Sequence, residues 1–187
     1  MKNSFPLCLL LAFFCLNLSQ SQSNTSSNKV ETQQMNPERS IVENTDDSCD
    51  HNMLSTAIKA SELEDLLHTE GPFTVFAPSD IAFENLPEDK VNSLLKKENK
   101  KDLKSLLAYH IVAGDFSASK ILLAMCRGNG TASFTTVQGN KLIASMRGTD
   151  IYLTDSLGNS AKITTADAKQ KNGVIHVIDS VIMPSRM

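Results

Sequence analysis

Partway along this chain the period of the hydrophobic pattern changes, and that change limits the fold more than any other feature. Up to about Val112 the apolar residues recur at helical spacing. Met53, Ala57 and Ile58 are followed by Leu63, Leu66 and Leu67, and later by Leu103, Leu106 and Leu107. From Thr131 onward the apolar runs are short and β-rich: Thr131–Val137, Lys141–Met146, Ile151–Thr154, Ala161–Thr164 and Val174–Met183. Gly-Asn, Gly-Thr-Asp and Leu-Gly-Asn turns separate them. Helices first and strands later imply an α+β domain. A chain of 187 residues has room for one such domain.

Local signals sharpen the helical half. Ser61-Glu-Leu-Glu64 has the form of a capping box, a hydroxyl followed three residues later by a carboxylate. Gly71-Pro72 ends that run, and Phe73–Ala77 reads as one short strand within the helical half. Pro78-Ser-Asp80 offers a turn and a helix cap, and Pro87 suits a first helical turn with Val91, Leu94 and Leu95 inward. Asn99 can start a helix running through "KKDLKSLLAYH", and Ser117 can cap "ASKILLAM".

The beginning of the chain reads as a targeting segment. Lys2 precedes an apolar run from Pro6 to Leu16 that suits a secretory signal and is too short to span a bilayer. Cleavage after Ser21 or Ser23 is expected, giving a signal peptide over 1–23. A lipoprotein reading through Cys15 fits less well, because Phe13 and Phe14 occupy positions that need small residues. A polar linker follows over 24–37, rich in Ser, Thr, Asn and Gln, with a globular domain over 38–185. After Pro184 only three residues remain, so neither a C-terminal anchor nor a membrane span is expected. The implied location is secreted or periplasmic. Signal removal leaves two cysteines, Cys49 and Cys126, which form either one disulfide or two separate thiols.

Leu103, Leu106, Leu107 and His110 lie at i, i+3, i+4, i+7, so His110 belongs to the apolar stripe and must satisfy its ring nitrogens internally. Tyr109 lies on the flank of that stripe, where its ring can pack while its hydroxyl reaches a partner or water. His176 sits in "VIHVIDSVI", apolar on both faces, and reads as a buried strand residue. No HExxH, paired Cys/His spacing or GxSxG elbow is present, so no catalytic residue, metal site or cofactor is expected. Oxygens at Asp46, Ser48, Asp50 and Asn52 alternate as in a calcium loop. His51 stands where such a loop needs Gly, and Ala57 where it needs Glu. Lys96, Lys97, Lys100, Lys101 and Lys104 are either a solvated helical face or a local patch for anionic polysaccharide or phospholipid headgroups. The formal net charge of −3 and the lack of interleaved aromatics argue against nucleic acid as a partner. Asn24-Thr-Ser26 and Asn129-Gly-Thr131 have the N-glycosylation form, which matters only in a eukaryotic host.

Three stretches together resemble the fasciclin (FAS1) domain family: "GPFTVFAPSDIAF" at Gly71–Phe83, "YHIV" after a leucine-rich helix, and "NGVIHVIDSVIMP" at Asn172–Pro184. The resemblance implies a wedge-shaped β-sandwich with helices packed around it. It also implies a non-catalytic role in adhesion or in binding a protein or polysaccharide at a cell surface, matrix or envelope. An alternative is a periplasmic structural or signalling component with a dedicated protein partner. "SCDHNML" followed by "IKASELEDLL" is closer to bacterial members. The family implies Tyr109-His110 as an adhesion motif, with Tyr109 as a binding candidate. Two stretches depart from the family. Ile41-Val42 is followed by polar and acidic residues where the family's first helix is apolar. Thr165-Ala-Asp-Ala-Lys169 stands where some animal members bind integrins through Glu-Pro-Asp-Ile-Met. Only Asp167 matches there, so Asp167 remains a binding candidate and integrin binding is not implied.

Overall fold

The computed structural model describes residues 35–186. The expected signal peptide, Asn24 and most of the linker lie outside the described residues.

The helical half begins with α1 (Ile41–Asp47). Its polar continuation is compatible with a helix because Ser40 and Glu43 form a capping box: the Glu43 carboxylate accepts the Ser40 N–H at 2.7 Å, and Ser40 Oγ accepts the Glu43 N–H at 3.3 Å. Thr45 is buried, and its hydroxyl donates back to the Ile41 carbonyl at 3.0 Å. The capping box expected at Ser61 does not form. Ser61 is instead the buried last residue of α2 (Asn52–Ser61), with its hydroxyl on the Ile58 carbonyl at 2.9 Å. Glu62 then turns left-handed (φ 58°) and closes that helix, so α3 (Glu64–Thr69) starts from Leu63 without a side-chain cap.

The strand β1 (Phe73–Pro78) is buried along its whole length. α4 (Asp80–Glu84), α5 (Glu88–Leu94), a 3-10 turn at Lys97–Asn99 and α6 (Lys100–Tyr109) follow. The helical spacing does not reveal β2 (Ile111–Ala113), which turns directly off the end of α6. Next comes α7 (Ala118–Arg127), capped by Ser117 as expected. The last five strands are β3 (Thr131–Thr135), β4 (Lys141–Arg147), β5 (Asp150–Thr154), β6 (Ser160–Gln170) and β7 (Gly173–Ile178).

The strands form one sheet in the order β2-β1-β7-β6-β5-β4-β3. Among the described residues only the β1–β7 pair is parallel. A bridge between Val112 and Thr136, with the Val137 N–H on the Ile111 carbonyl at 2.7 Å, brings the two ends of the sheet together. The result is a near-closed seven-stranded sheet with helices around it, the expected α+β architecture. One core lies between the sheet and helices α1 to α6, around Ile41, Leu54, Leu67, Val75, Leu106 and Ile175. A second lies on the other side of β1 and inside the sheet, around Phe76, Tyr109, Ile121, Leu142, Leu153 and Ile178. β1 feeds both cores, which explains why it is buried on both faces with Phe73 and Val75 on one side and Phe76 on the other.

Two strands differ from their sequence reading. β6 does not stop at Thr164. It pairs with β5 through Lys162, then crosses to β7 and continues to Gln170. Register shifts on both sides of Thr165 and a left-handed Asp167 (φ 62°) let it make that crossing. β7 ends at Ile178, and the chain then runs to Pro184 without strand pairing while Val181 and Ile182 stay buried. Gly173 is required beside β1: a Cβ there would stand 1.9 Å from the Phe73 carbonyl oxygen.

Candidate functional site

The Tyr109-His110 pair is delivered by the end of α6 into the interior. Tyr109 is wholly buried, which corrects its reading as a surface contact. The helix ends at Tyr109, so sheet and turns cover the flank that the helical spacing left open. Its hydroxyl donates to the Lys141 carbonyl at 2.8 Å and accepts the Ser156 N–H at 3.2 Å. Burial raises the phenol pKa. The His110 ring is equally enclosed. Nδ1 donates to the Leu106 carbonyl at 2.9 Å, and Nε2 accepts the Ile182 N–H at 3.3 Å. Burial lowers the imidazole pKa to about 4, so the ring is neutral at pH 7, as this tautomer requires. Beside it, buried Asp155 accepts the backbone N–H groups of Leu157, Asn159 and Met183 at 2.8–3.0 Å. Together these three side chains clasp α6, the β5–β6 turn and the terminal segment. Each functional atom is committed to backbone, leaving no poised acid or base.

His176 is spent in the same way. Its Nε2 donates to the Phe116 carbonyl at 2.8 Å, its Nδ1 accepts the Asp167 N–H at 3.2 Å, and its ring stacks on Phe76. Burial lowers its pKa also. Asp167 is exposed but engaged, since its carboxylate accepts the Ala118 N–H at 2.7 Å and so helps to cap α7. The left-handed backbone at Asp167 is therefore held from both sides.

The remaining candidates are dispersed. Lys96, Lys97, Lys101 and Lys104 are exposed along the 3-10 turn and α6, while Lys100 is half-buried in an ion pair with Glu62. Cys49 precedes α2 and Cys126 lies in the last turn of α7. Both are exposed and they are not bonded to each other, so the structure does not contain the disulfide weighed above. The calcium-like alternation does not converge on a point. Asp46 pairs with Lys59 at 2.9 Å, Ser48 Oγ meets His51 Nδ1 at 2.8 Å, and Asn52 donates to the Cys49 carbonyl at 2.7 Å. Among the described residues no group of three or more His, Cys, Asp or Glu side chains could hold a metal ion. Asn129 sits exposed in a left-handed turn.

The sequence reading missed a groove of about 620 Å³. It is bounded by the turn Ser48–His51, the corner Ser79–Ile81 and the bulged part of β6 from Thr164 to Ala168, with Met35 and Val177 between them. Ser79 builds the corner by accepting the Ala82 N–H and capping α4. Asp80 turns the other way. Its carboxylate accepts the Asn52 N–H at 3.2 Å, the Asn52 amide at 2.9 Å and the Met53 N–H at 2.8 Å, capping α2. The Asp80 N–H in turn donates to the Asp50 carbonyl at 2.9 Å. Ile81, the next residue, is left 67% exposed in the groove. His51 also lines the groove and is only 4% exposed. Burial lowers its pKa against the opposing pull of Asp50 and Asp80, and its Nε2 is the one buried side-chain polar atom among the described residues without a partner. The visible signal was the Ser79-Asp80-Ile81 run. Nothing local ties it to Cys49 or Thr165.

Comparison with known proteins gives consistent likenesses. The sequence profile described as "Fasciclin domain" matches residues 50–184. The chain is 38% identical over 131 residues to protein sll1483 of a Synechocystis strain, covering 70% of this chain and 66% of that protein. It is 35% identical over 132 residues to the transforming growth factor-beta-induced protein ig-h3 of Sus scrofa, covering 71% of this chain but 17% of that much longer protein. In structure it is similar to the FAS1 domain pair of the insect cell adhesion molecule Fasciclin I. That likeness has a TM-score of 0.68 at 17% identity and covers 78% of this chain and 51% of that one. The last likeness concerns the fold alone.

Proposed function

Because this chain belongs to the fasciclin domain family, known in adhesion-related proteins, we propose that it is a binding module. It holds a protein or glycan partner at a cell surface, in a matrix or in an envelope, and performs no chemistry. The observation that carries this reading is the contrast between the interior and the groove. His110, His176, Tyr109 and Asp155 are buried and consumed by backbone hydrogen bonds, whereas the groove beside Ile81 is open and mainly apolar. A module that binds needs a shaped surface on a rigid frame, and a catalyst needs convergent titratable groups. Secretion or periplasmic location rests on the apolar run Pro6–Leu16, and among the described residues no helix is long and apolar enough to cross a membrane. Working within the periplasm through one dedicated protein partner is a narrower form of the same role.

A second reading has its own observation. Of the five clustered lysines only Lys100 forms an ion pair among the described residues, so Lys96, Lys97, Lys101 and Lys104 present charge to solvent. That face suits an anionic polysaccharide or a phospholipid headgroup.

Photo-crosslinking of the protein on intact cells of its host, followed by identification of the captured species, tests both. A saturable, reproducible partner is the expected result. Capture abolished by replacing the four free-standing lysines with glutamine would favour the polysaccharide face. Absence of any saturable capture would overturn the binding-module reading.

A further inference from the structure

The walls of the groove share a chemical character. Three carboxylates line it, Asp50, Asp80 and Asp167, each from a different segment, and among the described residues no lysine or arginine does. Asp80 and Asp167 spend oxygens on backbone N–H groups, which fixes their positions. Between them the surface is apolar: Met35, Ile81, Val177 and the methyls of Ala166 and Ala168. A negative rim around an apolar floor selects a ligand that is positive and apolar at once.

We propose that this groove docks an extended peptide segment of a partner protein carrying a lysine or arginine next to an apolar side chain. The proposal rests on the binding-module reading and gives that partner a chemistry. The apolar side chain covers Ile81 and Val177, and the basic one lies toward Asp50 and Asp167. An acidic segment is repelled by the same walls. His51 adds a third contact. Ser48 Oγ meets His51 Nδ1 at 2.8 Å, and in the tautomer where the hydroxyl donates to Nδ1 the ring hydrogen resides on Nε2. That donor lacks an acceptor, and a peptide carbonyl is the complementary group. Nε2 is itself covered, so this bond needs a small shift of the exposed turn at Cys49 and Asp50. The basic and apolar contacts do not depend on it.

The test uses the full chain, labelled with 15N, and four probes. Three are capped pentapeptides, Gly-Lys-Leu-Lys-Gly, Gly-Glu-Leu-Glu-Gly and Gly-Ser-Leu-Ser-Gly, and the fourth is lysine amide alone. The lysine peptide is expected to shift the amides of Ile81, Thr165 and Asp167. It should bind roughly tenfold more tightly than the glutamate peptide, with affinity falling as salt rises. Asp50→Lys and Ile81→Ser, both at exposed positions, should each weaken it about fivefold while thermal unfolding stays unchanged. Equal binding of the basic and acidic peptides would overturn the proposal, as would shifts confined to Lys96–Lys104 or unaltered affinity in both variants. Lysine amide binding as tightly as the peptide would replace a peptide site by a small-amine site and overturn it too. The same variants in the cell-surface experiment separate the two levels. If wild type and variants capture the partner equally, the groove proposal fails and the module reading stands. If none captures anything, the module reading itself fails.

Discussion

The Asp80 carboxylate accepts the backbone N–H of Met53 at 2.8 Å, so the first residue of α4 also caps a helix that begins almost thirty positions earlier. The carboxylate answers two otherwise open donors at the α2 N-terminus, where the helix dipole also favours negative charge. His51, the residue at the cap position, makes no side-chain bond to the helix N-terminus. The Ser79-Asp80 pair thus sets two helices from one corner, and the groove is the space that this corner leaves.

Asp80→Ala is therefore expected to destabilise the domain by about 1–2 kcal/mol, the usual worth of a helix cap. Asp80→Asn should recover part of that loss. Urea unfolding followed by circular dichroism measures both. An Asp80→Ala protein as stable as wild type would show that the cap is dispensable.

Tyr109→Phe removes one hydroxyl and leaves the Ser156 N–H and the Lys141 carbonyl without it. A loss of about 1–3 kcal/mol follows from stranding buried polar groups. Because Tyr109 is buried, partner capture by the folded variant should equal that of wild type. Reduced capture by a fully folded Tyr109→Phe protein would restore the surface role that its position denies.

Stability should fall as the medium becomes acidic, and His110 sets the window. Its folded value is about 4 against an ordinary value of 6.5, so the unfolded chain binds a proton there that the native state refuses. Its contribution is complete above about pH 6.5, declines as pH falls toward 4, and levels off below that. The span corresponds to roughly 3 kcal/mol. His51 and His176, also lowered by burial, act in the same direction. Urea midpoints between pH 7.5 and 4.5 test this, and a flat profile would contradict a neutral buried His110. His110→Asn should show a shallower slope than wild type.

Cys126 is exposed on α7 and is not bonded to Cys49. Peptide mapping without reductant should find no fragment joining the two, and Cys126 should react readily with iodoacetamide. A Cys49–Cys126 crosslinked peptide would require these elements to move.

Sequence and structure agree where information is local. Leu103, Leu106, Leu107 and His110 lie on one inward stripe because helical periodicity alone decides it, and Ser117 caps α7 because capping needs only nearby residues. They part where a distant contact decides. Ser61 looks like a cap until Ile58 and a left-handed Glu62 claim the same turn. Thr165–Gln170 is polar and shows no strand signal, yet the ladder with β7 extends it. Tyr109 reads as marginal from helix geometry, and the turn that buries it lies nearly fifty residues further on. The groove was the least legible feature, since Asp50, Asp80 and Asp167 meet only when three separate segments are folded.

β6 belongs to both halves of the sheet, through Ser160–Lys162 on one side and Ile163–Gln170 on the other. Neither core can therefore melt without loosening a strand that the other needs. Such sharing makes unfolding a single cooperative event, and it couples the bulge that borders the groove to the global stability of the molecule. A bound ligand that steadied Thr164–Ala168 would be felt throughout the domain as resistance to heat.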